Sequence, residues 1–271
     1  GADLSEVRVH TGGGSAEAFT QLAADAGFPG CEVDLGYAVE HGAGALRDLY
    51  ARHHLRFGGW GLGDWRSDTA KHETATEQLK KAAPLAAQLG IDSCSTYLIP
   101  SSKLPFMENW RFHVERLAPL ARVLAGHGLR LGLEFVAPYH IRRAMPHEFI
   151  FSTGQMLELA AAIGPNVGLL VDAWHVYTAG EPFSRVADIP KDKIVLCHIN
   201  DAASGPIHER KDFDRLLPGE GVLDLKAFMA ALKQAGYGGP VSIEVFSDEL
   251  KKLPKPVAAK KAWESLRPLA V

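Results

Sequence analysis

LLVDAWHVYTAG, residues 169–180, starts as an aliphatic run and turns, at Asp172 and then His175, into a polar loop. A short run of branched apolar residues reads as a strand buried on both faces, as in a parallel sheet. A carboxylate at the end of such a strand carries a desolvation cost unless a partner or a cation compensates it. The same arrangement recurs on both sides of this stretch. Glu134 follows the apolar residues of RLGLEFV, His198 those of KIVLCHIND, and Glu244 those of PVSIEVF.

Further out, apolar runs alternate with helix-period segments along the whole chain. Eight strands are expected: Val7–Thr11, Gly30–Leu35, Leu55–Trp60, Ser93–Ile99, Arg130–Val136, Gly168–Ala173, Ile194–Asn200 and Val241–Phe246. Between them, SAEAFTQLAADAG, TATEQLKKAAPLAAQLG, ENWRFHVERLAPLARVLAGHG and DLKAFMAALKQAG place apolar residues three and four apart, which makes them amphipathic helices. Gly27, Gly90, Gly128 and Gly236 close helices where a left-handed residue leads into a turn. Eight successive βα units with short αβ loops predict a closed (β/α)8 TIM barrel, an α/β fold filling residues 1–271 as a single domain. The sixth unit is the weakest, because its helix must fit the Pro-interrupted GEPFSRVADIPKDK. The long loops after strands five and seven belong to the C-terminal face, where barrels gather their chemistry.

The 271 residues carry a formal net charge of −3 with 23% charged residues, so there is no broad basic field for nucleic acid. No apolar run reaches the roughly 18 residues of a membrane span, and no leader pattern opens the chain. Cys31, Cys94 and Cys197 are odd in number and lack CxxC spacing, so reduced core thiols and a cytoplasmic protein are expected.

Glu134, Asp172, His198 and Glu244 stand at the ends of strands five to eight, so a closed barrel brings them to one side of its mouth. Three carboxylates and an imidazole form a hard, oxygen-rich set suited to one divalent metal ion: Mn²⁺ first, with Mg²⁺, Co²⁺ or Zn²⁺ as alternatives. Any one of the four alone reads as a salt bridge or a cap; it is the repetition that points to a metal.

The segments GLEF, LLVDAWH, CHIND and SIEVF, with LPGEG after the seventh strand, resemble the xylose-isomerase-like sugar phosphate isomerase/epimerase superfamily. The resemblance follows the strand order of the whole chain and is specific from about residue 130 to 246. It implies a metal held by Glu134, Asp172, His198 and Glu244, and an isomerase or epimerase acting on a keto-sugar or cyclic polyol ketone. In that family Glu134 and Glu244 would be the catalytic acid and base, one removing the proton beside the carbonyl and the other returning it through a metal-stabilised enediolate. His175 and Arg215 would contact substrate oxygens; Arg215 reads equally as a surface partner of Asp212 or Asp214. His140, with His147 near it, is an acid/base candidate or an exposed loop histidine. Trp60 and Trp65 would wall a sugar ring or pack beneath a loop. The partner is a small carbohydrate, with no nucleic acid and no membrane, and a homo-oligomer is left open.

The superfamily's apurinic endonucleases need added histidines after strands three and four and an Asp-x-His after strand seven. Here those places read GGWGLG, STYLIP and Asp214-Arg215-Leu216, which excludes the three-metal chemistry. A dehydratase or lyase using the same metal is the rival enzyme, and a placed His140 would favour it. A barrel that only binds its ligand is the rival class, which the full set of four ligands disfavours. No phosphate-binding glycine motif is present, and HTGGGS after strand one is only a weak anion candidate. An unphosphorylated substrate is therefore expected.

Overall fold

The computed structural model describes residues 6–8 and 15–269. Residues 10–14 of the HTGGGS segment, and the anion candidate read there, lie outside them. The barrel strands are β1 (Glu6–Arg8), β2 (Gly30–Cys31), β3 in two pieces (Arg56–Phe57 and Trp60–Gly61), β4 (Ser93–Leu98), β5 (Arg130–Phe135), β6 (Val167–Asp172), β7 (Ile194–Ile199) and β8 (Val241–Glu244). Every neighbouring pair from β2 round to β8 is parallel, β8 pairs with β1, and β1 lies beside β2, which closes the (β/α)8 TIM barrel.

The chain enters its helices through side-chain caps that the sequence supplies. Ser15, Asp34, Asp68 and Asp224 accept the amides of Ala18, Gly36, Lys71 and Ala227 and so satisfy donors left free by the first turn. Gly27 and Gly90 end helices 16–26 and 69–89 at φ 97° and 75°, as expected of left-handed caps. The sixth unit has no long helix: a six-residue turn, Ala173–Thr178, and a 3-10 segment, Phe183–Asp188, take its place.

Two strand expectations need correcting. Gly30–Leu35 is cut to two residues because Asp34 caps a helix that begins at Leu35. Leu55–Trp60 is broken at Gly58–Gly59; its first piece pairs with β2 and its second, Trp60–Gly61, with β4.

Most of the apolar core lies between strands and helices, while Leu170, Val195 and Leu196 form a small cluster of their own. Cys31, Cys94 and Cys197 are buried, and burial pushes the Cys94 and Cys197 thiols up, away from reactivity. β6 and β7 are buried along their whole length, and at Gly168 their approach leaves no room for a side chain. A Cβ there would lie 2.4 Å from the Lys193 carbonyl oxygen, which is backbone and cannot swing away. Gly168→Ala is expected to lose about 2–3 kcal/mol of stability. Urea unfolding checks this, and a variant within 0.5 kcal/mol of wild type, an order-of-magnitude threshold for neutral substitutions, would contradict the packing.

Candidate metal centre

Parallel pairing sets β5 to β8 side by side, so their last residues meet. Glu134, Asp172, His198 and Glu244 are all buried, and each offers a ligand atom within 4.8 Å of the others. His198 Nδ1 lies 3.4 Å from Glu134 Oε1, 3.4 Å from Glu244 Oε2 and 3.8 Å from Asp172 Oδ2. Two donors each about 2.1 Å from one ion stand about 3–4.2 Å apart, so these spacings suit a shared cation.

The strongest sign of fit is what the protein leaves unsatisfied. Among the described residues, buried Glu134 Oε1 and His198 Nδ1 have no partner in hydrogen-bond geometry, although they face each other across the cluster. Buried polar atoms are seldom left this way without a ligand to complete them. Charge points the same way: Glu134, Asp172, Glu244 and Asp212 are four carboxylates around one guanidinium, that of Arg215, and the excess of negative charge favours a cation.

Without a cation, the cluster distorts its own titration. Burial pushes Glu134 up to about 7, helped by the charges of Glu244 and Asp172 and opposed by His198. Burial opposes the imidazolium of His198, yet Glu244 and its other carboxylate neighbours hold its proton well above the ordinary histidine range. Burial also works against Asp172 ionising, but Arg215 and His198 hold its carboxyl well below the usual range.

Arg215 reaches the cluster because the loop after β7 folds back as a short antiparallel pair, Asp201–Ala202 against Arg215–Leu216. One terminal nitrogen of its guanidinium donates to Asp172 Oδ2 and Glu244 Oε2, each at 2.9 Å, and the other to Asp212 Oδ1 at 2.8 Å. Of the sequence readings of Arg215, the pairing with Asp212 is present, but the residue is buried and not on the surface. Each carboxylate oxygen has a second lone pair, so Arg215 does not displace an ion.

His175 sits beneath Arg215, buried on the turn that follows β6. The Ala137 amide approaches its Nδ1 at 3.3 Å and the Arg215 guanidinium its Nε2 at 3.2 Å. Both neighbours are donors, and a neutral ring has one lone pair, so it accepts from only one of them; the contact to Arg215 is shorter. Burial, with the charge of Arg215, brings His175 down to about 4, which keeps it neutral.

The other expected residues are placed less centrally. His140 and His147 are exposed on the loop after β5. Trp60 is buried with its indole N–H unpartnered, and it lines a groove of about 540 Å³ between helices 35–41 and 69–89. Trp65 packs under the loop after β3 and donates to Thr96 Oγ1 at 2.8 Å. A separate cavity of about 610 Å³ opens above Glu134, lined by Ser95, Thr96, Tyr97, Arg66 and Leu170 among others.

Two residues that matter were not singled out in the sequence, though both lie in CHIND. Asn200 Nδ2 donates to Asp172 Oδ1 at 2.9 Å and to the Glu244 carbonyl at 3.2 Å, fixing two ligands from behind. Buried Asp201 accepts the amides of Ala202, Gly219, Gly221 and Leu223 at 2.8–3.0 Å, which clasps the PGEG turn. Gly221 is required there, because a Cβ would fall 2.2 Å from the Ala202 carbonyl oxygen.

Comparison with known proteins agrees with this architecture. An inosose isomerase of Halalkalibacterium halodurans is 30% identical over 62% of this chain and 57% of its own length. The matched region thus spans little more than half of that enzyme. An inosose isomerase of Bacillus velezensis is 27% identical over 84% of this chain and 81% of its own. A 3-dehydroshikimate dehydratase of Pseudomonas aeruginosa is 32% identical over 51% of this chain but 21% of its own. Among solved structures, a xylose isomerase domain protein from Alicyclobacillus acidocaldarius superposes with a TM-score of 0.88 at 30% identity, covering 98% of this chain and 97% of that one. The IOLI protein, solved with a bound zinc atom, shares the fold with a TM-score of 0.78 at 23% identity over 98% of both chains. Residues 20–269 match the family described as xylose isomerase-like TIM barrel, and the chain belongs to that family.

Proposed function

We propose that this protein is a divalent-metal-dependent isomerase or epimerase of a keto-sugar or cyclic polyol ketone, working by proton transfer at the carbon beside the carbonyl. The observation that carries this reading is the arc of ligands. Strand order puts Glu134 and Glu244 at its two ends with Asp172 and His198 between them, so two carboxylates approach a bound substrate from different sides. A cation held by these four residues, Mn²⁺ first given the three carboxylates, would stabilise the charge that develops on the carbonyl oxygen.

The protein's own groups account for the rest. One glutamate takes the proton from carbon and the other returns one, on the opposite face for an epimerisation. Arg215 fixes the carboxylates of Asp172 and Glu244, Asn200 fixes the Asp172 carboxylate and the Glu244 backbone carbonyl, and His175 stays neutral beneath Arg215. Arg215 and His175 are the groups beside the cluster nearest to a role in holding substrate oxygens, whereas Trp60 and exposed His140 have weaker claims.

A second reading, a dehydratase or lyase at the same site, is favoured by the matched stretch of the Pseudomonas dehydratase. It needs an acid beside the departing oxygen. His140, exposed on its loop, is not set against the cluster in that role.

Proton exchange tests both readings. The metal-loaded protein, incubated in D₂O with ketoses and keto-inositols and followed by NMR, is expected to put deuterium into recovered substrate or its epimer. A chelator should stop the exchange and Mn²⁺ restore it. A dehydrated product would support the second reading, and absence of exchange with every ketone would refute the first.

A further inference from the structure

The cavity above Glu134 has a second polar end. Its volume of about 610 Å³ lies in the range of small-molecule sites, about 300–1,000 Å³. Arg66, in the loop after β3, lines the same cavity.

Three contacts hold that guanidinium in place. It lies over the Tyr97 ring at 4.1 Å, beside the Trp65 ring at 5.2 Å, and donates to the Tyr97 carbonyl oxygen at 2.6 Å. Trp65 is itself anchored by Thr96 Oγ1. Tyr97 is the cross-strand partner of Glu134, so Arg66 is stacked on a ring one strand away from the cluster, a step of about 4.8 Å.

Arg66 has no carboxylate partner among the described residues. Asp64, nearest in sequence, is turned into its own loop, where its carboxylate accepts the amides of Arg66 and Ser67 and the Ser67 hydroxyl. Of the five guanidinium N–H donors, the carbonyl of Tyr97 uses one. The carboxylates of the cluster are engaged by Arg215 and His198, and none of them is within ion-pair distance of Arg66. Asp64 and Glu134 line the same cavity, but neither is ion-paired with Arg66, and a pre-positioned guanidinium with free donors at a polar cavity is a receptor for a planar or tetrahedral oxyanion.

We infer that Arg66 binds an anionic substituent, a carboxylate or a phosphate, on the substrate whose carbonyl lies at the metal cluster. The substrate class is then an anionic polyol ketone, narrower than the keto-sugars and cyclic ketones proposed above; a carboxylate keeps to the unphosphorylated substrate expected from the sequence, and a phosphate departs from it. This inference rests on that functional reading for the placement of the carbonyl, but anion binding can be measured without turnover.

The test is calorimetric titration of the Mn²⁺-loaded full chain with three probes: myo-inositol, myo-inositol monophosphate and quinate, a cyclitol carboxylate. At least one anionic probe should bind about 10- to 100-fold more tightly than myo-inositol, the gain expected of a hydrogen bond to a charged group. Which one does so tells carboxylate from phosphate. The preference should shrink with added salt, fall at least 10-fold in Arg66→Met, and survive in part in Arg66→Lys. Equal affinities for all three probes, or a preference that Arg66→Met leaves intact, would overturn the assignment. Anion preference without deuterium exchange on any ketone would instead refute the functional reading and leave Arg66 as an anion receptor. If Arg66→Met fails to fold, the wild-type salt series and Arg66→Lys decide the matter.

Discussion

Glu244→Gln, loaded with Mn²⁺, should exchange substrate protons with solvent about 10²- to 10⁴-fold more slowly than wild type, the range associated with losing a general acid or base. The amide keeps the size of the side chain and an oxygen for the Arg215 hydrogen bond now at 2.9 Å, so the cluster should retain its shape. What it loses is the ability to accept and return a proton. It also loses one anionic ligand, so metal content must be measured alongside the rate and the comparison made at equal occupancy. Full exchange at full occupancy would remove Glu244 from the proton-transfer pair, and Glu134→Gln should then be the only slow variant of the two.

The largest expected loss of stability comes from Arg215→Met. Arg215 is 1% exposed and is the cation between Asp172 and Glu244. Removing it leaves two buried carboxylates facing each other, which costs about 3–5 kcal/mol when one partner of a buried ion pair is deleted. The metal-free variant should therefore melt on the order of 10 °C lower. Adding Mn²⁺ should recover much of that difference, because a cation then supplies the missing positive charge. The pH dependence follows from Asp172, whose folded pKa is held well below its ordinary value of 3.8. Its contribution to stability is present above that value and disappears as pH falls through the lowered one. The gap between wild type and variant should stay constant near neutrality and narrow in acid. A gap unaffected by either metal or acid would mean that Arg215 acts by packing alone.

The second half of the barrel was readable in the sequence because β5 to β8 are dominated by branched and aliphatic residues, and the expected ends of β4 to β8 fall within two residues of the observed ones. The four candidate ligands were readable because a charged or imidazole group is conspicuous at the end of an apolar run. β2 and β3 were harder: whether Asp34 continues a strand or caps a helix depends on the Gly36 amide reaching its carboxylate, and Gly58–Gly59 still bonds to Cys31 and Val33 where the strand changes its partner from β2 to β4. Asn200 and Asp201 resembled the polar residues of any loop, because their partners lie 20 or more residues away in most cases. Arg66 was hidden in a similar way, since its position depends on a tyrosine 31 residues further on. The exposure of His140 follows from the path of its loop, which local sequence does not encode.

The four-amide grip of Asp201 separates two jobs that one excursion of the chain would otherwise share. With Leu216 paired to Asp201 and the following turn pinned to the same carboxylate, the return of Arg215 to the mouth is set at its downstream end. The segment from 203 to 211 is thereby released from that duty, and its length and composition can drift without moving the guanidinium. Variation in this protein's lineage should accumulate there, while the carboxylate cluster below stays fixed.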